Sequence, residues 1–210
     1  MPKCEKCGVS FGRGEKYEFS PPKLCLECET DSRRSVSTDK QPWESICPKR
    51  YRETNDEDDR ISECVSISKE WDPESDIGFG LISKSGKGKT RAAFIALKNS
   101  YDKGLKCAAI SHTRLSNLAT SAARDGEGAD ILVKLKMADV LLIDDLGKGH
   151  STERANQELL DILEERSAEM KPVIWTSNAG SKWLIDRFGE DRGRPIARRL
   201  FEFSPPVQVG

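Results

Sequence analysis

With 210 residues, 33% of them charged and 36% hydrophobic, and a formal net charge of −1, the chain has room for one domain of ordinary size and a small appendage. That balance excludes a protein that binds nucleic acid or membrane through bulk charge. No apolar run approaches the roughly 20 residues of a membrane span, and Met1-Pro2-Lys3-Cys4-Glu5-Lys6 has no apolar signal region behind it, so a cytoplasmic protein without a membrane partner is expected.

Four of the seven cysteines come first in the chain: Cys4-x-x-Cys7 and Cys25-x-x-Cys28, separated by seventeen residues. Each pair can wrap one side of a tetrahedral Zn²⁺ as thiolates, and four sulfurs leave no open position for a catalytic water. Phe11, Tyr17 and Phe19 can cover such a site. A piece of about thirty residues needs a staple of this kind to fold at all. Cys47, Cys64 and Cys107 read as ordinary thiols, Cys107 within a core strand. The domains expected are therefore a zinc-binding module at 1–30, a polar linker at 31–45 and a larger domain at 46–210. Residues 39–76 hold twelve acidic side chains against six basic, a run that reads as a solvated face before a partner-binding one.

Residues 76–82 read as a short buried strand, and 90–103 carry apolar residues at helical spacing until Gly104 stops them. Between them lies Ser83-Lys84-Ser85-Gly86-Lys87-Gly88-Lys89-Thr90, a glycine turn ending in Gly-Lys-Thr. Strand, glycine turn and helix together make a phosphate cradle. Backbone N–H groups converge on the phosphates of a nucleoside triphosphate, Lys89 puts a point charge on the β and γ oxygens, and the Thr90 hydroxyl can ligate Mg²⁺. Ser83 stands where the usual pattern G-x-x-x-x-G-K-[ST] has its first glycine.

The pattern then alternates. A strand is expected at 106–110, helices at 113–123 and 129–137, and a strand ending in Val140-Leu141-Leu142-Ile143-Asp144-Asp145-Leu146-Gly147. Four apolar residues are buried on both faces there, and two carboxylates emerge at the end where ligands sit in open α/β sheets. Asp144 is the natural Mg²⁺ partner; Asp145 is placed to orient or deprotonate an attacking water. A long helix at 152–169, a strand at 171–178 ending in Asn178, and a helix at 181–188 follow.

In this order, Ile46-Cys47-Pro48-Lys49-Arg50-Tyr51-Arg52, the glycine loop, the segment Ala138 to Gly147, Leu163-Glu164-Glu165-Arg166, Val173-Ile174-Trp175-Thr176-Ser177-Asn178 and Ile196-Ala197-Arg198-Arg199-Leu200 resemble the DnaC/DnaI-type AAA+ helicase loaders. Those loaders are similar to IstB-type transposition helper ATPases. The resemblance covers about residues 46–207. It implies an α/β fold: an AAA+ P-loop NTPase core with a parallel five-stranded sheet and no C-terminal lid, here preceded by the small zinc-binding module. It further implies ATP and Mg²⁺ as cofactors, with Asn178 as the sensor of the γ-phosphate or attacking water. Arg199 would be the arginine that reaches a neighbour's ATP, with Arg198 competing for the role, and Arg166 is implied in assembly.

By the same resemblance the helical stretch between Cys107 and Asp139 would touch single-stranded DNA, and the zinc module would engage a replicative hexameric helicase. Arg114, Arg124, Lys134 and Lys136 are basic, but no aromatic residue lies near them to stack a base. The expected function is ATP-dependent loading of the replicative helicase onto single-stranded DNA by a self-associating ATPase. A transposition helper ATPase, or a zinc-containing adaptor that uses nucleotide as a switch and hydrolyses it little, are the alternatives.

Overall fold

The computed structural model describes residues 40–53, 62–74, 77–149 and 151–209, together with Ser10. The chain divides into two units, Met1–Thr38 and Asp39–Gly210. The expected zinc ligands Cys4, Cys7, Cys25 and Cys28 lie outside the described residues, as does the acidic run at 55–59.

In the second unit the described chain forms α1 (Trp43–Ile46), α2 (Lys49–Arg52), α3 (Ser62–Glu70), β1 (Phe79–Ile82), α4 (Lys89–Asp102), β2 (Cys107–Ser111), α5 (His112–Asp125), α6 (Ala129–Met137), β3 (Val140–Asp144), α7 (Glu153–Ala168), β4 (Val173–Ser177), α8 (Ser181–Phe188), α9 (Glu190–Phe203) and β5 (Pro206–Gln208). The strands make one five-stranded sheet in the order β2-β3-β4-β1-β5, and each neighbouring pair is parallel. This is the parallel five-stranded sheet that the family resemblance implies.

Side chains of a strand point alternately to its two faces, so a strand covered on both sides must be apolar throughout. β3 obeys this. Val140 and Leu142 join the layer that contains Phe94, Ile95 and Leu97 of α4, while Leu141 and Ile143 join Leu159, Ile162 and Leu163 of α7 on the other face. Helices α1, α3 and α4 supply the first layer; α5 to α9 supply the second. Among the described residues no helix is long and apolar enough to cross a membrane.

Three features correct the sequence-based expectations. The expected linker ran to residue 45, but Trp43 is buried in α1, packed edge-on against Phe94 at 6.4 Å and beside Tyr101 at 5.4 Å. Aromatic burial, not polar composition, decides that segment. The elements read in chain order stop at residue 188, and α9 and β5 follow it, β5 supplying the fifth strand. Gly193 and Pro195 lower helix propensity within α9. The glycine is required by packing: a Cβ at position 193 would fall 2.2 Å from the Ile185 carbonyl oxygen of α8.

The third correction concerns Arg166, implied in assembly by resemblance. It is 1% exposed. Its guanidinium donates to the carbonyls of Leu135, Lys136, Ala138, Asp139 and Pro172 at 2.7–3.3 Å, tying the end of α6 to the entrances of β3 and β4. Burial lowers its pKa to about 9, opposed by Asp139 and Cys107, which leaves it charged at neutral pH. The carbonyls at a helix C-terminus favour a cation there. Arg166→Ala strands these acceptors in a dry site, at about 1–3 kcal/mol for each one left unpaired. Urea unfolding of this variant should therefore show a loss of about 3 kcal/mol or more. Unchanged stability with impaired self-association would return Arg166 to an assembly role.

Candidate functional site

The glycine loop leaves β1 at Ser83, whose N–H donates to the Ser177 carbonyl of β4 at 3.3 Å. Gly86 and Gly88 have φ of 87° and 77°, the left-handed region that costs a glycine nothing. Gly88 precedes α4 directly, so the unpaired N–H groups of the helix's first turn open onto a cleft of about 550 Å³.

Lys89 is only 6% exposed. Its ammonium donates to the carbonyls of Ser83 at 2.8 Å and Lys84 at 2.9 Å and to the Ser83 hydroxyl at 3.3 Å, none of them a carboxylate. Burial lowers its pKa, against the opposing influence of Cys64, Asp145 and Asp144. The loop closes with serine in the first position, and both oxygens of Ser83 serve the lysine.

Opposite the loop, Asp144 Oδ1 accepts from the Thr90 hydroxyl at 2.8 Å and from the Thr176 hydroxyl at 2.7 Å. Thr176 also accepts from the Asp145 N–H at 2.9 Å. Asp145 itself takes φ of 56°, and its carboxylate pairs with Lys148 at 2.6 Å. The Thr90 hydroxyl and the Asp144 carboxylate fit a magnesium ion held mainly by nucleotide phosphates, which needs only one or two protein oxygens. Among the described residues no cluster of three or more His, Cys, Asp or Glu forms a separate metal site.

Of the residues expected at the site, Ser85, Gly86, Gly88, Lys89, Thr90, Asp144, Asp145 and Asn178 line this one cleft. Ser83 and Lys84 instead line a neighbouring hollow of about 320 Å³, and Lys87 turns its carbonyl to the Cys64 thiol at 3.4 Å. Arg199 lies outside the cleft on α9, half-buried, with Glu202 at 3.6 Å and Glu164 at 3.8 Å. Arg198 is exposed and pairs with Glu202. Cys47, Cys64 and Cys107 are buried free thiols, and burial raises the pKa of all three, Cys47 to about 11 and Cys107 to about 12. They are ordinary, unreactive thiols.

Residues not anticipated at the cleft are Arg50, Tyr51, Arg91 and Lys148. Tyr51 stacks on Phe94 at 5.3 Å and 16°, with the Arg50 guanidinium 4.8 Å from its ring, so α2 presents an aromatic edge beside the phosphate cradle. Thr176 is the other omission: it sits in the quoted Thr-Ser-Asn segment, but only strand register reveals its partner. Ile143 pairs with Trp175, which brings the next residues, Asp144 and Thr176, together.

The segment that builds this cradle, and the acid at the end of β3 that faces it, lie within the match to a known family of sequences. The model of the family described as IstB-like ATP binding protein matches residues 50–192. The chain belongs to that family. Its fold is shared with several solved structures. The structure of the DnaC helicase loader aligns with a TM-score of 0.62 at 20% identity, covering 78% of this chain and 100% of that one. DnaI aligns with a TM-score of 0.63 at 19% identity, covering 78% of this chain and 95% of that one. AMPPCP-bound DnaA from Aquifex aeolicus aligns at 0.58 and 21% identity, over 70% of this chain and 44% of that one. A search among curated protein sequences finds no match.

His112 supports the cleft from behind in this IstB-like chain. It is 1% exposed, with Nδ1 3.2 Å from the Lys148 carbonyl and its ring edge-on to Phe188 at 5.5 Å. Burial lowers its pKa below the usual 6.5, the Lys148 carbonyl opposing and Arg187 adding to the effect. The folded state thus favours neutral imidazole. Its contribution is complete above about pH 6.5 and is lost as pH falls through the lowered folded value. Thermal melts should show wild type losing stability below about pH 6.5 more steeply than His112→Gln. Identical slopes would contradict this role.

Proposed function

We propose that this chain is a cytoplasmic AAA+ ATPase that loads a replicative hexameric helicase onto single-stranded DNA during replication initiation. The observation that carries the ATPase reading is the 2.8 Å contact between Thr90 and Asp144 at the mouth of the glycine loop. Support for the loader reading comes from the ordered motifs between residues 46 and 207. The fold similarity to DnaC and DnaI, over nearly the whole of those chains, adds to it.

In this reading the triphosphate lies along the loop and the base sits towards Tyr51 and Arg50. Lys89 exchanges the Ser83 and Lys84 carbonyls for β- and γ-phosphate oxygens, a substitution of like acceptors that needs little rearrangement. Magnesium, when bound by Thr90 and Asp144, neutralises charge on the β and γ oxygens. Asp145 takes a proton from water as its oxygen bonds to the γ-phosphorus and the bond to the β,γ-bridging oxygen breaks, leaving ADP and phosphate. Thr176 fixes the backbone of Asp145, and Asn178 orients the γ-phosphate or the water. Arg199 of a neighbouring subunit completes the site, so that hydrolysis depends on assembly. The module at 1–30, holding one Zn²⁺ through Cys4, Cys7, Cys25 and Cys28, engages the helicase, and the ATPase domain follows it.

One observation favours a second reading, an adaptor that binds nucleotide and hydrolyses it little: Asp145 is already engaged by Lys148 at 2.6 Å. Phosphate release with and without single-stranded DNA separates the two. Capture of a hexameric helicase separates a loader from a transposition helper. Zinc at one per chain, lost on chelation, tests the N-terminal module.

The assembly claim has a direct test. Arg199→Ala should bind ATP as wild type does while its hydrolysis falls, by roughly 10³ if the arginine acts as such fingers do in GTPases. Mixed with Lys89→Ala protein, it should regain part of the activity, because intact pockets then meet intact arginines. No recovery in the mixture would remove Arg199 from the neighbour's site.

A further inference from the structure

A second cavity, of about 440 Å³, adjoins the nucleotide cleft. Leu146, Gly147, Ala179 and Trp183 give it apolar walls, and Lys148 and Arg187 also line it. Of the four tryptophans in the chain, Trp43, Trp71 and Trp175 are 8%, 9% and 0% exposed, whereas Trp183 is 45% exposed. Its place is set by backbone: a Cβ on Gly147 would fall 2.5 Å from the Trp183 ring. The loop after β3 therefore holds an aromatic ring in water at the edge of an apolar hollow.

Cations share the helix and the cavity wall with this ring, and one carboxylate, Asp145, lines that wall with them. Lys182 and Arg187 are exposed on α8. The Arg187 guanidinium donates to the carbonyls of Gly147 and Gly149, and among the described residues no carboxylate pairs with it. Two of the basic residues of α5 and α6, by contrast, are already paired. Arg124 is paired with Asp125 at 2.9 Å, and Lys136 with Glu158 and Glu165 at 3.3 and 3.5 Å. An accessible aromatic face beside cations that carry no carboxylate partner among the described residues, as Lys182 and Arg187 are, is the combination that binds single strands, the ring taking a base and the cations its phosphates.

We propose that the Trp183 cavity is a base-stacking site for single-stranded DNA, with Lys182 and Arg187 holding the adjoining phosphates. It deepens the proposed function and rests on the reading that this chain acts on single strands. Asp145, Lys148 and Asn178 line both cavities, so a base in one borders the residues that would handle the γ-phosphate in the other. The Asp145–Lys148 pair is the shared wall.

The test uses the full chain with a non-hydrolysable ATP analogue, a labelled oligo(dT) strand and an abasic strand of the same length and charge. Stacking of one base is worth about 1–3 kcal/mol, so Trp183→Ala should weaken oligo(dT) binding about tenfold and leave abasic binding unchanged, with Trp183→Phe retaining most of the affinity. Wild-type tryptophan fluorescence should be quenched by oligo(dT) and not by the abasic strand. Lys182→Ala should weaken both strands alike and flatten the salt dependence. Equal affinity of wild type and Trp183→Ala for oligo(dT) would overturn the proposal. So would equal losses on both strands, or intact DNA binding with lost self-association in sedimentation, which would make the cavity a protein contact. No helicase enters the assay. Helicase loading is scored in a separate assay with a hexameric helicase present: the base preference without loading there sinks the loader reading alone, and loading without the preference sinks the site alone.

Discussion

A single carboxylate oxygen, Asp144 Oδ1, joins three elements that arrive from distant parts of the chain: β3, which carries it, the first turn of α4 through Thr90, and β4 through Thr176. The sheet order makes this arrangement necessary. β4 lies between β1 and β3, so the strand that launches the glycine loop and the strand that delivers the acid stand two strand spacings apart, about 9–10 Å. Thr176 fills that interval from the middle strand. It donates to Asp144 and accepts from the Asp145 N–H, so both carboxylates take their position from one buried hydroxyl.

Two buried cations show how the same fold separates function from support. Arg166 is held by five backbone carbonyls and has no reason to leave them. Lys89 is also held by uncharged oxygens, but those belong to the loop it serves and lie at the edge of a cleft open to an anion. An ammonium kept from any carboxylate contact can transfer to phosphate without first breaking an ion pair. Asp145 is in the opposite state, its charge already met by Lys148, whose carbonyl in turn rests on buried His112. The buried lysine and the second carboxylate are thus held differently within one cleft.

Local chemistry made much of this legible in sequence. The glycine loop, the apolar run into Asp144 and the 129–137 and 181–188 helices are each written in consecutive residues, and the last two are observed as Ala129–Met137 and Ser181–Phe188. What stayed hidden depends on partners far along the chain. The buried role of Arg166 needs carbonyls about thirty residues away, and that of Thr176 needs strand register. Helix α9 was obscured because Gly193 is kept for its close approach to α8 against its own helix propensity. The polar surroundings of Trp43 concealed a residue that packs on Phe94. Nothing in the sequence around Trp183 marks it as exposed; its position at the edge of the cavity does.

Magnesium-dependent nucleotide binding tests the central claim most directly, that Lys89, Thr90 and Asp144 form one phosphate and metal site ordered by Thr176. Calorimetric titration of ATP into wild type, Lys89→Ala, Asp144→Asn and Thr176→Val, each with and without Mg²⁺, separates the parts. Hydrogen bonds to charged groups contribute about 1.5–3 kcal/mol, so Lys89→Ala should lose roughly tenfold or more in affinity under both conditions. Asp144→Asn should lose mainly the enhancement that Mg²⁺ gives, and Thr176→Val should lose part of it. ATP affinity that is insensitive to Lys89→Ala, or a magnesium effect undiminished by Asp144→Asn, would contradict the assignment of this cleft.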